Sequence, residues 1–417
     1  MKIALIHYSA PPVVGGVESV LAHHARLLAS AGHSVCILAA RGESWTDEIK
    51  LFRLPLVDSL HPDILAVKHE LDAGRIPSAF ASLVETLADQ IRTAVSQTDV
   101  LIAHNVCSLN KNLVLTEALH RLSLEPKFPH LILWHHDLAW ATPRYLPELH
   151  PGFPWALLRT DWPGATQVVV SAARQSELAT LLGITPERIH VVPNGVDVAE
   201  FLKLEDQTIQ LLNRLNLLQA APIMLLPARI TPRKNIELGL RTLACLRETF
   251  PAAVMIVTGP IGAHNPANRK YFKELLALRD HLNLNQAAFF LAEIQDALLP
   301  DSVIADFYRL ADALFLPSRE EGFGIPLLEA ALSHRPIFCA DLPVLRELGG
   351  EYAFYFSPNA NPTEVASLVT RHIQCDPAFH LATAVRRDFN WERIYKEKIG
   401  PLLESVLPHR AIHGQGS

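Results

Sequence analysis

The sequence predicts an α/β protein built from two Rossmann-like, doubly wound domains that face each other across a cleft. Three observations carry that expectation. Short apolar runs alternate with longer amphipathic stretches, the order expected of parallel strands joined by helical crossovers. The alternation restarts after a turn cluster at Pro193-Asn194-Gly195-Val196-Asp197. Glycine-rich or charged loops follow directly on the apolar runs, where open α/β sheets place their ligands. With 417 residues the chain is too long for one compact core and suits two domains of ordinary size.

In chain order, Ile3 to Tyr8 is the first expected strand, followed by a Pro/Gly loop from Ala10 to Gly16. A helix from Glu18 to Ala31 ends at Gly32, and His33 to Ala39 is the second strand. Gly15 and Gly16 sit just ahead of the helix, where free N–H groups can meet an anion or a sugar hydroxyl. Turn formation alone also explains paired glycines. Residues 62–97 read as helical with a break at Pro77. The strand Asp99 to Ala103 runs straight into His104-Asn105, a helix spans Leu113 to Arg121, and the strand His130 to Trp134 ends in His135-His136-Asp137. Adjacent histidines on a strand point to opposite faces, so one reaches the ligand side while the other packs. No third ligand stands at a convincing spacing, so no metal is expected. Residues 138–164, rich in Pro, Trp and Leu, read either as a substrate lid or as aromatic packing. Val168 to Ser171, the helix Ala172 to Leu182 and Ile189 to Val192 close the first half.

The second half opens with the strand Ile223 to Pro227, the loop Ala228 to Asn235 and a helix from Ile236 to Phe250. The strand Ala253 to Val257 follows, and Gly259 begins a long polar loop through Asn268, with a helix continuing to about Asp280. Further strands are expected at Phe289–Ala292, Ala313–Leu316 and Pro336–Ala340, and helices at Val303–Ala311, from Pro326, at Thr363–Ile373 and from Trp391 to Leu407. Residues 408–417 read as a frayed, disordered tail.

Composition narrows the function. Hydrophobic residues make up 49% and charged residues 19%, as in soluble globular proteins. The net charge of −6 argues against a dedicated nucleic-acid binder or a polybasic membrane protein. Five cysteines, at 36, 107, 245, 339 and 375, lack CxxC spacing and read as small buried residues in a reducing compartment. No apolar run reaches the ~18 residues that span a bilayer, and the N-terminal run reads as a strand instead of a signal peptide. A cytoplasmic protein is expected.

Two groups of residues carry chemistry. Arg229 and Lys234, five residues apart across one strand-to-helix loop, can converge on a diphosphate, Arg as a planar fork and Lys as a point charge. A solvated pair at a helix start is the alternative, but cations sit poorly near a helix N-terminus without an anion. Arg233 is expected to be the solvated member of the trio. The second group is Glu321 and Glu329, one in a glycine turn after the strand at Ala313 and the other a turn inside the following helix, so that both carboxylates can face one site. Two solvated glutamates in an ordinary strand–loop–helix unit are the alternative.

The run Glu321-Gly322-Phe323-Gly324-Ile325-Pro326-Leu327-Leu328-Glu329 closely resembles the motif of retaining GT-B glycosyltransferases, the family 4-like "group 1" set, which carry two glutamates separated by seven residues. Gly15-Gly16, His136-Asp137, the turn at 193–197, Arg229 with Lys234, Ser318 and the helix from Trp391 extend the resemblance over nearly the whole chain. It implies a GT-B fold: an acceptor domain over 1–195, a nucleotide-sugar domain over 196–390, and a terminal helix, about 391–407, returning to the first domain. It implies transfer of a hexose from a nucleoside diphosphate sugar, UDP- or GDP-linked, to a hydroxyl acceptor with retention and without metal or other cofactor. By the resemblance, Arg229 and Lys234 hold the donor diphosphate, and Glu321 orients the donor sugar with the backbone of Gly322, Phe323 and Gly324. Ile325 and Gly259 line the donor site, Glu329 takes the ribose hydroxyls, and His136 lies near the transferred sugar. Gly15, Gly16, His104 and Asn105 form the acceptor and phosphate side, brought over Glu321 by domain closure. Asn235, where the family often has glycine, and the polar loop 259–268 are departures that bear on base and sugar specificity. The acidic balance favours a small soluble sugar, polyol or organic acid as acceptor. A lipid or polysaccharide acceptor, a GT-B phosphorylase and a sugar-nucleotide epimerase are the alternatives. The protein is expected as a monomer or homodimer without an integral membrane segment, with peripheral membrane association left open.

Overall fold

The computed structural model describes residues 1–44, 46, 48–262, 267–294 and 298–406. The expected tail at 408–417, the last residue of the expected terminal helix and the centre of the 259–268 loop lie outside the described residues. The chain divides into two compact units. One comprises Met1–Gly195 with the segment beginning at Trp391, the other Val196–Asn390.

The first unit holds a seven-stranded parallel sheet: β1 Lys2–Ile6, β2 Ser34–Ala39, β3 Lys50–Arg53, β4 Val100–His104, β5 His130–His135, β6 Thr166–Val169 and β7 Ile189–Val191. Their order is β3-β2-β1-β4-β5-β6-β7. The second unit holds β8 Ile223–Leu226, β9 Val254–Val257, β10 Ala288–Phe290, β11 Ala313–Leu316, β12 Ile337–Ala340 and β13 Phe354–Phe356, ordered β10-β9-β8-β11-β12-β13. Both are doubly wound Rossmann-like sheets whose winding reverses beside the first strand, between β1 and β4 and between β8 and β11. The central strands are buried on both faces, which is why they read as unbroken apolar runs such as KIALI and IMLL.

The sequence reading misses β3 and β13, both at sheet edges. Strand β3, KLFR, has no fully buried residue and so no apolar run to betray it. The strand expected at Phe289–Ala292 is shifted: β10 ends at Phe290 and a 3-10 turn occupies Leu291–Glu293. Residues 138–164 resolve the lid-or-packing alternative in favour of packing. Three 3-10 turns bury Trp155 and Trp162, whose side chains join the core of the first unit, and the Arg159 guanidinium lies 4.0 Å from the Trp140 ring centroid. The terminal segment is not one regular helix. Helices Trp391–Ile394 and Gly400–Val406 flank a π-helical turn at Tyr395–Ile399. Trp391, Ile394, Ile399, Leu402 and Leu403 pack with Ile3, Leu5, Val35 and Ile37 in one cluster, so the segment covers a face of the first sheet. All five cysteines are free, and Cys375 is exposed, contrary to the expectation that all five are buried. No helix among the described residues is long and apolar enough to cross a membrane.

Candidate active site

In the second unit, the loops leaving β8 and β11 meet at the switch point. Lys234 is buried at the end of the β8 loop, and its Nζ donates to Glu321 Oε1 at 2.5 Å. Ser318, just beyond β11, donates its hydroxyl to the same oxygen at 2.8 Å. The ammonium and carboxylate side chains are only 10% and 7% exposed, so solvent screens the pair little. The anion that a cation near a helix start requires is therefore supplied, in this state, by the protein itself. Arg229 is exposed and forms no ion pair among the described residues, and Arg233 is exposed as well.

Gly259, just past β9, has a backbone reason to be glycine: a Cβ there would stand 2.1 Å from the Ala228 carbonyl oxygen and 2.5 Å from the Arg229 nitrogen. The two loops are further strapped by Ile230 N–H donating to the Pro260 carbonyl at 2.9 Å. Gly259 thus sets where Arg229 leaves the sheet. Gly322 and Phe323 are exposed, leaving their backbone open to a ligand, as does the exposed Ile325. Gly324 is different. It adopts φ 101°, and a Cβ there would lie 2.6 Å from Leu345, so it serves the turn. The helix Ile325–Leu332 follows with Pro326 in its first turn. Glu329 accepts a hydrogen bond from the Tyr308 hydroxyl at 2.6 Å, a partner on the helix Asp301–Leu310. Tyr308 is buried, and burial followed by that carboxylate pushes its hydroxyl well above the usual tyrosine range, so it stays a proton donor.

In the first unit, β1 and β4 end in His7-Tyr8-Ser9 and His104-Asn105. Asn105 sits at φ 56°, a conformation asparagine tolerates, and its Oδ1 accepts from the backbone N–H groups of His136 (3.0 Å) and Asp137 (2.9 Å). Its Nδ2 donates to Asp137 Oδ2 at 3.2 Å. Asn105 therefore positions the segment beyond β5. His135 is buried on a hydrogen bond to Gln167 at 2.8 Å, whereas His136 is part-exposed with its Nε2 unpartnered. Burial holds the His136 imidazole down at about 4, so it is neutral at neutral pH. His104 is fully buried with neither ring nitrogen partnered, among the rings of His24, Trp134 and His136. It packs inside instead of facing solvent.

Gly15 caps the helix Gly16–Ser30, and nothing lies within 4 Å of a Cβ built on Gly16. Glu18 occupies the start of that helix. The Ser9 hydroxyl donates to its Oε1 at 2.6 Å and His7 Nε2 lies 3.7 Å away. These two neighbours, His7 foremost, hold the Glu18 carboxyl down at about 2 against the opposing effect of burial. Glu18 and Tyr308 were not singled out by sequence. A carboxylate three residues into a helix after a glycine turn, and a tyrosine on a helix that must bury its apolar face, were the available signals. No cluster of three or more His, Cys, Asp or Glu with metal-holding geometry occurs among the described residues.

The chain matches the family model described as glycosyl transferases group 1 over residues 210–385, and that of glycosyltransferase family 4 over residues 14–200. It belongs to the group 1 glycosyltransferases. The fold is accordingly GT-B. This glycosyltransferase is 25% identical to a mannosylglucosylglycerate synthase from Thermotoga maritima over 83% of this chain and 82% of that protein. It is 29% identical to a D-inositol 3-phosphate glycosyltransferase from Thermomonospora curvata over 50% of this chain and 49% of that protein. Over a shorter stretch, 22% of this chain and 11% of the other, it is 41% identical to the Escherichia coli serotype-specific mannosyltransferase WbdA.

For this glycosyltransferase, Gly259→Ala is expected to push the Ala228–Arg229 backbone aside. Overpacking of this kind costs about 1–3 kcal/mol. Calorimetric titration with UDP and GDP should show roughly tenfold weaker binding of whichever diphosphate the wild type takes, about 1.4 kcal/mol. Unchanged affinity would separate Gly259 from the placement of Arg229.

Proposed function

We propose that the enzyme transfers a hexosyl group from a uridine or guanosine diphosphate sugar to a hydroxyl of a small polar acceptor, with retention at the anomeric carbon and without a metal. The observation that carries this reading is the buried Lys234–Glu321 pair at the switch point of the second sheet, with Arg229, exposed and without an ion pair among the described residues, on the same loop as Lys234. Arg229 and Lys234 supply the positive charge that a departing diphosphate needs, Lys234 from a shielded position where a fixed charge stabilises developing charge strongly and Arg229 from the exposed side of the same loop. Glu321 accepts hydrogen bonds from donor-sugar hydroxyls while remaining in contact with the Lys234 ammonium. The exposed backbone at Gly322 and Phe323, beside Ile325, offers further contacts to that sugar. Glu329 uses its oxygen not engaged by Tyr308 to accept from the ribose hydroxyls.

The bond from the anomeric carbon to the β-phosphate oxygen breaks, and a bond from the acceptor oxygen to the same carbon forms on the same face. The acceptor proton passes to the departing phosphate oxygen. No glycosyl-enzyme enters this reading: Lys234 and Ser318 both hold Oε1 of Glu321, and the carboxylate serves as a hydrogen-bond acceptor for the donor sugar. The His136 imidazole, held neutral by burial, is assigned to the transferred sugar by the family resemblance. Gly15, Gly16 and Asn105 serve the acceptor side. The names of the relatives, a mannosylglucosylglycerate synthase and a D-inositol 3-phosphate glycosyltransferase, support a small polar acceptor.

Thermal-shift screening of nucleotides followed by a donor and acceptor panel read by mass spectrometry tests the reading. A disaccharide-type product whose anomeric configuration by NMR equals that of the donor is expected, in the presence of EDTA as in its absence. An inverted product, loss of activity in EDTA, free sugar phosphate, or donor conversion without acceptor would overturn it.

A further inference from the structure

Asn235 follows Lys234 and occupies the left-handed region at φ 53°, ψ 41°, at the start of the helix Ile236–Thr249. That conformation explains why glycine suits the position, but glycine would supply nothing else. The Asn235 side chain is 0% exposed and its amide is fully used. Nδ2 donates to the Pro317 carbonyl and to the Pro358 carbonyl, both at 2.9 Å. Oδ1 accepts from Arg319 Nη2, also at 2.9 Å. Arg319 in turn donates to Asn359 Oδ1 at 2.9 Å and lies 3.3 Å from Glu237 Oε1, while its backbone N–H donates to the Arg233 carbonyl at 2.8 Å. One buried amide thus joins three loops at the carboxyl end of the second sheet: those after β8, β11 and β13.

The joined segments bracket the ion pair. Lys234 is the residue before Asn235, and Ser318 and Glu321 follow Pro317. We infer that Asn235 is a positioning residue, whose amide sets the separation of the Lys234 ammonium from the Glu321 carboxylate and thereby the enzyme's grip on the donor's second phosphate. This rests on the donor reading above. A site whose charges are held in place spends nothing on reorganisation when the diphosphate arrives. With the staple gone, the Arg319-to-Arg233 backbone hydrogen bond, the Arg319–Glu237 contact and the Lys234–Glu321 pair itself are left to tie the β8 and β11 loops, and Lys234 gains room to move.

The test compares nucleoside monophosphates with diphosphates on the full-length protein, by calorimetry with UMP against UDP and GMP against GDP. The ratio of the two dissociation constants reads the second phosphate alone. Asn235→Gly keeps the left-handed backbone and removes all three amide hydrogen bonds, and the diphosphate preference is expected to fall about tenfold with monophosphate affinity unchanged. Arg319→Met, which leaves both Nδ2 hydrogen bonds of Asn235 in place and removes its Oδ1 partner together with the Arg319 contacts to Asn359 and Glu237, is expected to give a smaller fall in the same direction. It also keeps the inference testable if Asn235→Gly does not fold. A preference that survives in either folded variant, or an equal weakening of mono- and diphosphate, overturns the positioning role. A wild type without any preference for diphosphate overturns the donor reading itself, and the inference with it.

Discussion

Replacing Glu321 by alanine is expected to lower sugar turnover by about two to three orders of magnitude, the scale of losing one preorganised polar group at a reacting centre. The same substitution is expected to tighten nucleoside diphosphate binding. In the unliganded protein, Glu321 neutralises a Lys234 ammonium that is almost completely shielded from water. Removing one partner of a buried pair leaves the other uncompensated, at a cost of about 3–5 kcal/mol. A diphosphate then becomes the only anion within reach, and its binding offsets that cost. The variant should melt lower than wild type without ligand and gain more from UDP or GDP than wild type does. Glu321→Gln, which can still accept from Ser318 and Lys234, should fall between the two. Turnover assays and paired thermal shifts check this. Unchanged turnover would remove Glu321 from the donor site, and weaker diphosphate binding would show that Lys234 does not exchange its partner for phosphate.

Acidification is expected to unfold the first unit cooperatively between about pH 6 and pH 4, the window between the ordinary histidine range and the depressed values of its buried imidazoles. Burial pushes His24 down to about 3 and His135 and His136 down to about 4, and holds His104 well below its usual range. These rings are neutral in the folded unit, while the unfolded chain protonates them near pH 6.5. Unfolding therefore takes up protons. The stability associated with neutral rings is complete above that value and is lost as pH falls toward the folded values. Each such histidine steepens the loss by about 1.4 kcal/mol per pH unit, so four reach at most about 5.6 kcal/mol per unit against a total stability of about 5–15 kcal/mol. Around this cluster stand His7, Glu18, His23 and Asp137 and the rings of Trp134 and Trp391. Glu18, held at about 2, stays ionised through the whole window.

A convenient reporter is built into the sequence. All six tryptophans, at 45, 134, 140, 155, 162 and 391, fall in the first unit's stretches, so intrinsic fluorescence reports that unit alone. His24→Phe, apolar in an apolar site, should move the acid midpoint downward and make the transition shallower. Emission that stays constant to pH 4 would contradict the proton-uptake account.

Much of this architecture is legible in one dimension. Strands such as β1, β4, β8 and β11 are buried on both faces, so each must be an unbroken apolar run, and such runs stand out between amphipathic stretches. The edge strand β3 is not legible, because none of its residues is fully buried and so no apolar run marks it. The irregular stretch 138–164 was ambiguous for a similar reason: tryptophan suits a lid or a core equally until its neighbours are known. The π-helical turn at Tyr395–Ile399 breaks a segment whose apolar spacing reads as one helix.

The sequence by itself determined the parallel α/β class and the glycosyltransferase family. Both depend on residues close in the chain: the period of the apolar runs, two glutamates across one short turn and helix, and two cations on one loop. Only the tertiary structure decided how those residues are partnered. Lys234 meets Glu321 across 87 positions, the Asn235 amide reaches Pro317 across 82 and Pro358 across 123, and Tyr308 takes one oxygen of Glu329 from a neighbouring helix. These contacts are set by where the β8, β11 and β13 loops emerge from a common sheet edge, and no local period encodes them. The same holds for the histidines around His104, whose depressed protonation follows from burial among elements distant in the chain.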